Sequence, residues 1–207
     1  MYIFLYKKTI AGRNKFMKNI RFRILLCFLA MILQTGCCSK CKSPHPDLPE
    51  NFHKVSENIY RSGQPDADEF ESLYTIYGIR SVLNLRKFFS DKDEIDAVNR
   101  KWNNALVLYE IPLLSSTITE NDLCRILTVI RDARKPLLIH CYHGSNRTGS
   151  AISAYRIVFE NRSIEDAIRE LHTPEYGHSK MFYSNIGKLL RKADWQKIKT
   201  TVLNQQK

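Results

Sequence analysis

One short segment of the chain combines residue types that can perform nucleophilic and phosphate chemistry. Cys141 and Arg147 stand at its two ends, six positions apart, and Gly144 lies between them. A glycine gives the main chain freedom to turn tightly, so that the intervening amides can converge on one point. A planar guanidinium such as that of Arg147 binds two oxygens of one phosphoryl group. The spacing therefore predicts a phosphate cradle with a cysteine at its base.

Each residue of this segment has an expected role. We expect Cys141 to be the nucleophile, because main-chain amides and the positive end of a following helix favour a thiolate. Arg147 should bind phosphate, His140 should orient the loop through its ring nitrogens, and Thr148 should donate a hydrogen bond to the sulfur. The expected substrate-binding residues are Tyr142, His143, Gly144, Ser145, Asn146 and Arg147.

The flanking sequence predicts elements that hold this segment in place. The apolar run 136–139 is typical of a buried strand, and the periodic run 151–158 is typical of a helix. Further strand-like runs occur at 58–61, 79–85 and 105–111, and they alternate with helical patterns. This alternation predicts an α/β fold with a mostly parallel central sheet flanked by helices. Ligands bind beyond the carboxyl ends of such strands, which is where residues 141–147 should lie.

The loop resembles the signature of the cysteine-dependent protein tyrosine phosphatase superfamily, His-Cys-five residues-Arg-Thr/Ser-Gly. The segments 59–65 and 82–86 are also similar to those of the atypical dual-specificity branch, and the resemblance covers about residues 55–192. It implies a protein-tyrosine-phosphatase-like fold, no cofactor and no metal. It also implies hydrolysis of phosphate monoesters through a phosphocysteine intermediate. The implied substrates are proteins bearing phosphotyrosine, phosphoserine or phosphothreonine, or inositol phosphates.

The resemblance leaves one catalytic group without an obvious counterpart. Related enzymes place an aspartate general acid on a loop before the nucleophile, whereas residues 111–118 contain no carboxylate. Asp122 and Glu120 are the candidate general acids, although Thr119 and Asp122 also have the spacing of a helix capping box, which we favour. A chain without an acid should prefer leaving groups that need little protonation. The alternative function is a catalytically weak pseudophosphatase that recognises a phosphorylated partner.

The N-terminal sequence predicts export. A basic stretch from Met17 and ten apolar residues at 24–33 are followed by Gly36 and Cys37. This order is typical of a signal peptide and resembles a bacterial lipobox, with Gln34 in place of the usual aliphatic residue. We expect a signal peptide at 1–36, with Met17 as the alternative start, lipidation of Cys37, a tether at 37–50 and a phosphatase domain at 51–207. The chain would then be a periplasmic or cell-envelope lipoprotein of a bacterium; a plain signal peptide or an uncleaved anchor stays open.

The net charge of +11 does not indicate a nucleic-acid partner. Nine of the 32 Lys and Arg residues lie within residues 1–42, which contain none of the 21 Asp and Glu residues. The rest of the chain is close to neutral and lacks the broad basic face that phosphate-backbone binding requires. The expected partners are therefore a phosphorylated protein or small-molecule phosphate, and a membrane through the N-terminal anchor.

For each of three further residues, the sequence is compatible with two alternative positions or roles. Arg61 and Arg86 both end apolar strand patterns, and each is expected either at the mouth of the pocket or in a surface salt bridge. Cys124 is expected to pack in the core, with a disulfide to Cys141 as the alternative in an oxidising compartment.

Overall fold

A five-stranded sheet with helices on both faces forms the described part of the chain, which comprises residues 48–179, 181 and 183–204 of the computed structural model. The strands are β1 (His53–Ser56), β2 (Ile59–Ser62), β3 (Ser81–Arg86), β4 (Val107–Leu113) and β5 (Leu137–His140). The helices are α1 (Ala67–Thr75), α2 (Lys92–Trp102), α3 (Glu120–Asp132), α4 (Asn146–Phe159), α5 (Ile164–Leu171), α6 (Ser184–Lys192) and α7 (Trp195–Asn204), with a short 3-10 turn at Pro174–Tyr176.

The order of the strands brings the loop after β5 to the middle of one edge of the sheet. The order is β1-β2-β5-β3-β4, in which β1 pairs with β2 antiparallel and every other pair is parallel. His140, the last residue of β5, lies opposite Ser62 of β2 and Asn84 of β3. The predicted α/β fold with a mostly parallel sheet is confirmed, and the antiparallel edge strand β1 is an addition to it.

Strand β5 is buried on both faces and supplies side chains to both. Leu137, Ile139 and Cys141 belong to an apolar cluster that includes Ile152 of α4. Leu138 belongs to a different cluster, which includes Phe70 of α1 and residues of α2. The alternation follows from the two-residue period of a strand. It places consecutive residues at the end of β5 against different helical layers.

The contacts of the domain include residues that precede the predicted boundary at 51. Leu48 is packed against the cluster around Phe70, and the main-chain carbonyl of Glu50 accepts from the N–H of Gly63 at 2.7 Å. The signal segment, Cys37 and most of the tether lie outside the described residues, so those assignments stay predictions. Within the part of the chain that the structure describes, no helix combines the length and the apolar character needed to cross a bilayer.

Candidate active site

The loop between β5 and α4 begins with a buried cysteine and ends in a helix N-terminus. Cys141 is only 2% exposed and directly follows the buried strand. Helix α4 begins at Asn146, and Ser145 before it makes no side-chain capping hydrogen bond. The first amides of a helix have no partner within the helix and carry its positive dipole end. This arrangement supplies N–H donors for an anion beside a nucleophile, as the sequence predicts.

Three donors outside the loop hold its carbonyl groups. The main-chain N–H of Gln64 donates to the carbonyl of Tyr142 at 3.0 Å. Asn51 Nδ2 donates to the carbonyl of His143 at 2.9 Å, and Arg61 Nη2 donates to the carbonyl of Gly144 at 2.7 Å. Because the N–H and C=O of a peptide unit point in opposite directions, these contacts turn the loop amides toward its interior.

Arg61 is a buried cation behind the loop. Its side chain is 1% exposed, and its guanidinium lies 3.9 Å from the centre of the Tyr176 ring. Burial lowers the pKa of Arg61, while Tyr176 and, more weakly, Glu170 and Cys141 oppose that shift. The sequence predicts Arg61 either at the mouth of the pocket or in a surface salt bridge, and the structure places it in neither position. Nothing in the sequence around Arg61 indicates that an arginine near the end of this strand is buried.

Gly144 lies where no other residue fits. Its φ of +70° is in the left-handed region. A Cβ at this position would lie 2.5 Å from the carbonyl carbon and oxygen of Ser62. Both the backbone conformation and the close approach of two main chains therefore require glycine. The prediction that Gly144 allows the loop to turn is consistent with this geometry.

Arg147 reaches across the carboxyl ends of two other strands. Its Nη1 lies 3.5 Å from the carbonyl oxygens of Leu85 and Leu113. Its Nε is buried and has no protein partner among the described residues, and the same holds for the Thr148 hydroxyl. Buried donors without partners are costly. Both groups are therefore suited to bind an anion or a sulfur, as expected from the sequence.

A cleft of about 380 Å³ opens beside Arg147. It is lined by Arg86, Lys87, Phe88, Leu114, Ser115, Ser116, Tyr142, Arg147 and Tyr183. Arg86 is thus at the pocket, in agreement with one of its two sequence readings. Of the described residues that line the cleft, none is an aspartate or a glutamate. Its wall is cationic and aromatic, which suits an aryl or polyol phosphate.

The two candidate acids lie at the start of α3. Asp122 forms a reciprocal capping box with Thr119: the Thr119 N–H donates to Asp122 Oδ2 at 3.0 Å, and the Asp122 N–H donates to Thr119 Oγ1 at 3.3 Å. Glu120 is the first residue of the helix. Neither carboxylate lines the cleft. The favoured capping interpretation of Asp122 is consistent with these contacts.

His140 has a partner that the sequence did not indicate. Its Nε2 lies 2.8 Å from Asp91 Oδ2, and both side chains are fully buried. Gln64 Nε2 donates to the other oxygen of Asp91 at 2.6 Å. Asp91 is 49 residues before His140 and stands at the start of α2, where an aspartate is ordinarily interpreted as a helix cap. The pairing depends on the packing of α2 against the sheet, which the sequence pattern does not specify.

The remaining loop residues differ in accessibility. Tyr142 and His143 are both exposed, and Tyr142 lines the cleft, whereas Ser145 is buried. Asn146 Oδ1 lies 2.6 Å from His178 Nδ1. Cys124 and Cys141 are both free thiols in the structure. Among the described residues, no group of three or more His, Cys, Asp or Glu side chains could hold a metal ion.

The fold and the loop are those of the cysteine-dependent phosphatases. A family model described as "PTP-NADK: DSP-PTPase phosphatase fused to NAD+ Kinase" matches residues 47–186. The chain belongs to this family, which confirms the resemblance found in the loop sequence.

Two named phosphatases are similar to part of the chain. The chain is 26% identical over 131 residues to the dual specificity protein phosphatase TpbA of Pseudomonas aeruginosa (strain UCBPP-PA14), covering 61% of this chain and 56% of that protein. It is 29% identical over 128 residues to the inositol diphosphatase DSP5 of Arabidopsis thaliana, covering 59% and 60%. The chain thus matches less than two thirds of the length of either relative.

Solved structures confirm the fold. The core catalytic domain of the PP-IP phosphatase SIW14 from S. cerevisiae, in complex with citrate, gives a TM-score of 0.65 at 25% identity, covering 77% of this chain and 95% of that one. The crystal structure of P. aeruginosa TpbA gives a TM-score of 0.64 at 22% identity, covering 75% and 92%.

Proposed function

We propose that this chain hydrolyses phosphate monoesters through a phosphocysteine intermediate. The observation that carries the proposal is the loop itself, in which Gln64, Asn51 and Arg61 hold three successive carbonyls outward. The amides of the loop are therefore directed inward before any substrate arrives. A preorganised ring of donors next to a buried cysteine fits a dianion that is attacked by sulfur.

The reaction proceeds in two displacements. The Cys141 sulfur attacks phosphorus, an S–P bond forms, and the P–O bond to the leaving group breaks with its electron pair remaining on oxygen. A water molecule then attacks phosphorus, the S–P bond breaks, and inorganic phosphate and the thiolate are released. Arg147 and the loop amides stabilise the charge on the equatorial oxygens in both steps. The Thr148 hydroxyl donates to the sulfur when it leaves.

The substrate class is an aryl phosphate such as phosphotyrosine, or an inositol phosphate. Relatives bear the names dual specificity phosphatase and inositol diphosphatase, and the cationic and aromatic cleft residues Arg86, Lys87 and Tyr142 suit both kinds of substrate. Since these relatives are named as phosphatases, the pseudophosphatase alternative is not favoured.

Turnover of p-nitrophenyl phosphate tests the proposal. The wild-type chain should hydrolyse this substrate in the presence of EDTA and should be inhibited by vanadate. Cys141→Ser and Arg147→Ala should each lose turnover, while Cys124→Ser, which replaces the other free thiol of the described residues, should keep it. An active Cys141→Ser variant contradicts the mechanism. Phosphate binding by the wild-type chain without any turnover selects the pseudophosphatase instead.

We also propose that the chain is exported and anchored to the cell envelope through Cys37. The support is the basic stretch, the apolar run and the Gly36-Cys37 pair of its N-terminal sequence. Cells supplied with labelled palmitate should incorporate the label into the wild-type chain and not into Cys37→Ser. If both proteins are labelled equally, or if neither is labelled, the result contradicts the lipid anchor.

A further inference from the structure

A buried carboxylate beside the loop is bonded at both of its oxygens. Asp91 is fully buried, with His140 Nε2 at 2.8 Å from its Oδ2 and Gln64 Nε2 at 2.6 Å from its Oδ1. Arg86 Nη1 in turn donates to Gln64 Oε1 at 2.8 Å. Removing a carboxylate from water is expensive unless several hydrogen bonds compensate. Asp91 is therefore fixed in one orientation by His140 of β5 and by Gln64 of the segment after β2, and Arg86 of β3 holds Gln64 in turn.

The position of Asp91 in its helix makes this arrangement unusual. Asp91 is the N-cap residue of α2, yet its side chain accepts no hydrogen bond from the first turn of that helix. The N-cap side chains of α1 and α3, Asp66 and Thr119, both make the bond that Asp91 lacks. Capping normally stabilises a helix. The carboxylate of Asp91 therefore contacts His140 instead of capping its own helix.

Asp91 acts on the residue next to the nucleophile. The His140 ring faces α1 and α2, where it also lies 6.1 Å from the Phe70 ring, whereas Cys141 belongs to the cluster on the other face. One planar peptide unit joins the two residues, so fixing the His140 side chain restricts the direction in which the Cys141 side chain leaves the main chain. An ionised carboxylate has only acceptor atoms, so the pair requires the His140 tautomer in which Nε2 is the donor.

We propose that Asp91 is a positioning residue for Cys141 that acts through His140, and that Gln64 holds Asp91 in place. Gln64 braces both neighbours of the nucleophile, because its side chain fixes Asp91 and so His140, while its main-chain N–H donates to the Tyr142 carbonyl at 3.0 Å. The inference rests on the proposed function of Cys141 as the nucleophile. It assigns a task to two residues that do not line the substrate cleft.

The variant Asp91→Asn tests this role. Asparagine keeps the volume but presents one acceptor oxygen where Asp91 presents two, so it cannot accept hydrogen bonds from both His140 and Gln64. We expect kcat for p-nitrophenyl phosphate to fall about 10- to 100-fold, since small misplacements of a reacting group have effects of this size. The alkylation rate of Cys141 by iodoacetamide, followed by peptide mass spectrometry, should change with it. KM and the affinity for inorganic phosphate should stay unchanged, because Arg147 and the loop amides remain in place.

Two further variants complete the experiment. Asp166→Asn removes an exposed carboxylate at the start of α5 and should keep wild-type kcat and alkylation. Gln64→Ala at a half-buried position should repeat the Asp91→Asn effect to a smaller extent, and it decides the question if Asp91→Asn does not fold. The proposal is overturned if Asp91→Asn and Gln64→Ala keep wild-type kcat and alkylation rates. It is also overturned if their affinity for phosphate falls as much as kcat. Alkylation still reports on positioning if the wild-type chain shows no turnover, so failure of the proposed function is distinguished from failure of this inference.

Discussion

The direction of single peptide groups determines what the loop can bind. Gln64, Asn51 and Arg61 come from outside the loop and hold the carbonyls of residues 142–144. The amides on the opposite side of those peptide units therefore need no rearrangement when phosphate binds. Donors that are already oriented stabilise developing charge more effectively than donors that must reorganise. The affinity of the loop for an anion thus depends on its surroundings as well as on its own residues.

Gly144 is the loop residue whose replacement should be most damaging apart from Cys141 and Arg147. In Gly144→Ala, the new Cβ would meet the Ser62 carbonyl at 2.5 Å, so the loop must move away from β2 and the Arg61 contact is lost. We expect kcat for p-nitrophenyl phosphate to fall about 100-fold or more. The free energy of unfolding should fall by about 1–3 kcal/mol because of the left-handed conformation. Steady-state kinetics and urea denaturation measure the two effects.

Gly78 provides a matched control for Gly144. Its φ of +67° is nearly the same, but an added Cβ would meet no atom within 4 Å. Gly78→Ala should therefore lose about 1 kcal/mol of stability from the backbone conformation alone and keep wild-type kcat. Equal kinetic effects in the two variants, or wild-type kcat in Gly144→Ala, would show that close packing against β2 does not shape the loop.

Individual residues of the site differ in how far the sequence predicts them. Cys141, Gly144 and Arg147 follow from local spacing, since a six-residue turn at a helix N-terminus is a local structure. Arg61 is 83 residues from the carbonyl that it holds, and Asp91 is 49 residues from His140. No local pattern distinguishes a buried arginine or an inward-facing aspartate from surface residues of the same type. Their roles depend on tertiary packing and emerge only from the structure.

At the scale of single elements, the contacts at the start of α3 favour a capping role for Asp122 over a role as general acid. The Asp122 carboxylate accepts from the N–H and the hydroxyl of Thr119, at 3.0 and 2.8 Å. Asp122→Asn keeps an acceptor for the cap but cannot donate a proton as an acid. We expect unchanged kcat/KM for phenyl phosphate and a loss of stability below about 1 kcal/mol. A general acid would instead lose about 100- to 10,000-fold, and Glu120→Gln measured in parallel tests the second carboxylate.

The helices and the parallel strands were predictable because their patterns are local. Apolar residues at helical spacing mark α3, and the capping residues Asp66, Thr119 and Ser163 mark the starts of three helices. Strand β1 was not predicted, because it is four residues long, only partly buried, and its pairing with β2 contains an irregular register. The order of the strands was likewise beyond the sequence, since it depends on contacts between distant segments.

At the scale of the whole molecule, the parallel strands place one cleft at their carboxyl ends. Arg86 is the last residue of β3, Leu114 directly follows β4, and Arg147 lies in the first turn of α4, the helix after β5. The cleft thus collects cations and aromatic rings from separate parts of the chain. Among its described lining residues there is no carboxylate that could protonate a leaving group. For the proposed phosphatase reaction, we therefore expect a rate that depends on the leaving group itself.

Substrates with different leaving groups should therefore differ strongly in kcat/KM, which reports the step that breaks the P–O bond. We expect kcat/KM to fall steadily from p-nitrophenyl phosphate to phenyl phosphate and further to an alkyl phosphate such as phosphoserine. General acid catalysis contributes about 100- to 10,000-fold, and this contribution matters most for poor leaving groups. Similar kcat/KM values across the series would contradict the prediction and would show that a proton donor reaches the cleft during turnover. The same series with Asp122→Asn and Glu120→Gln would then identify the donor, because the variant that lacks it should recover the steep dependence.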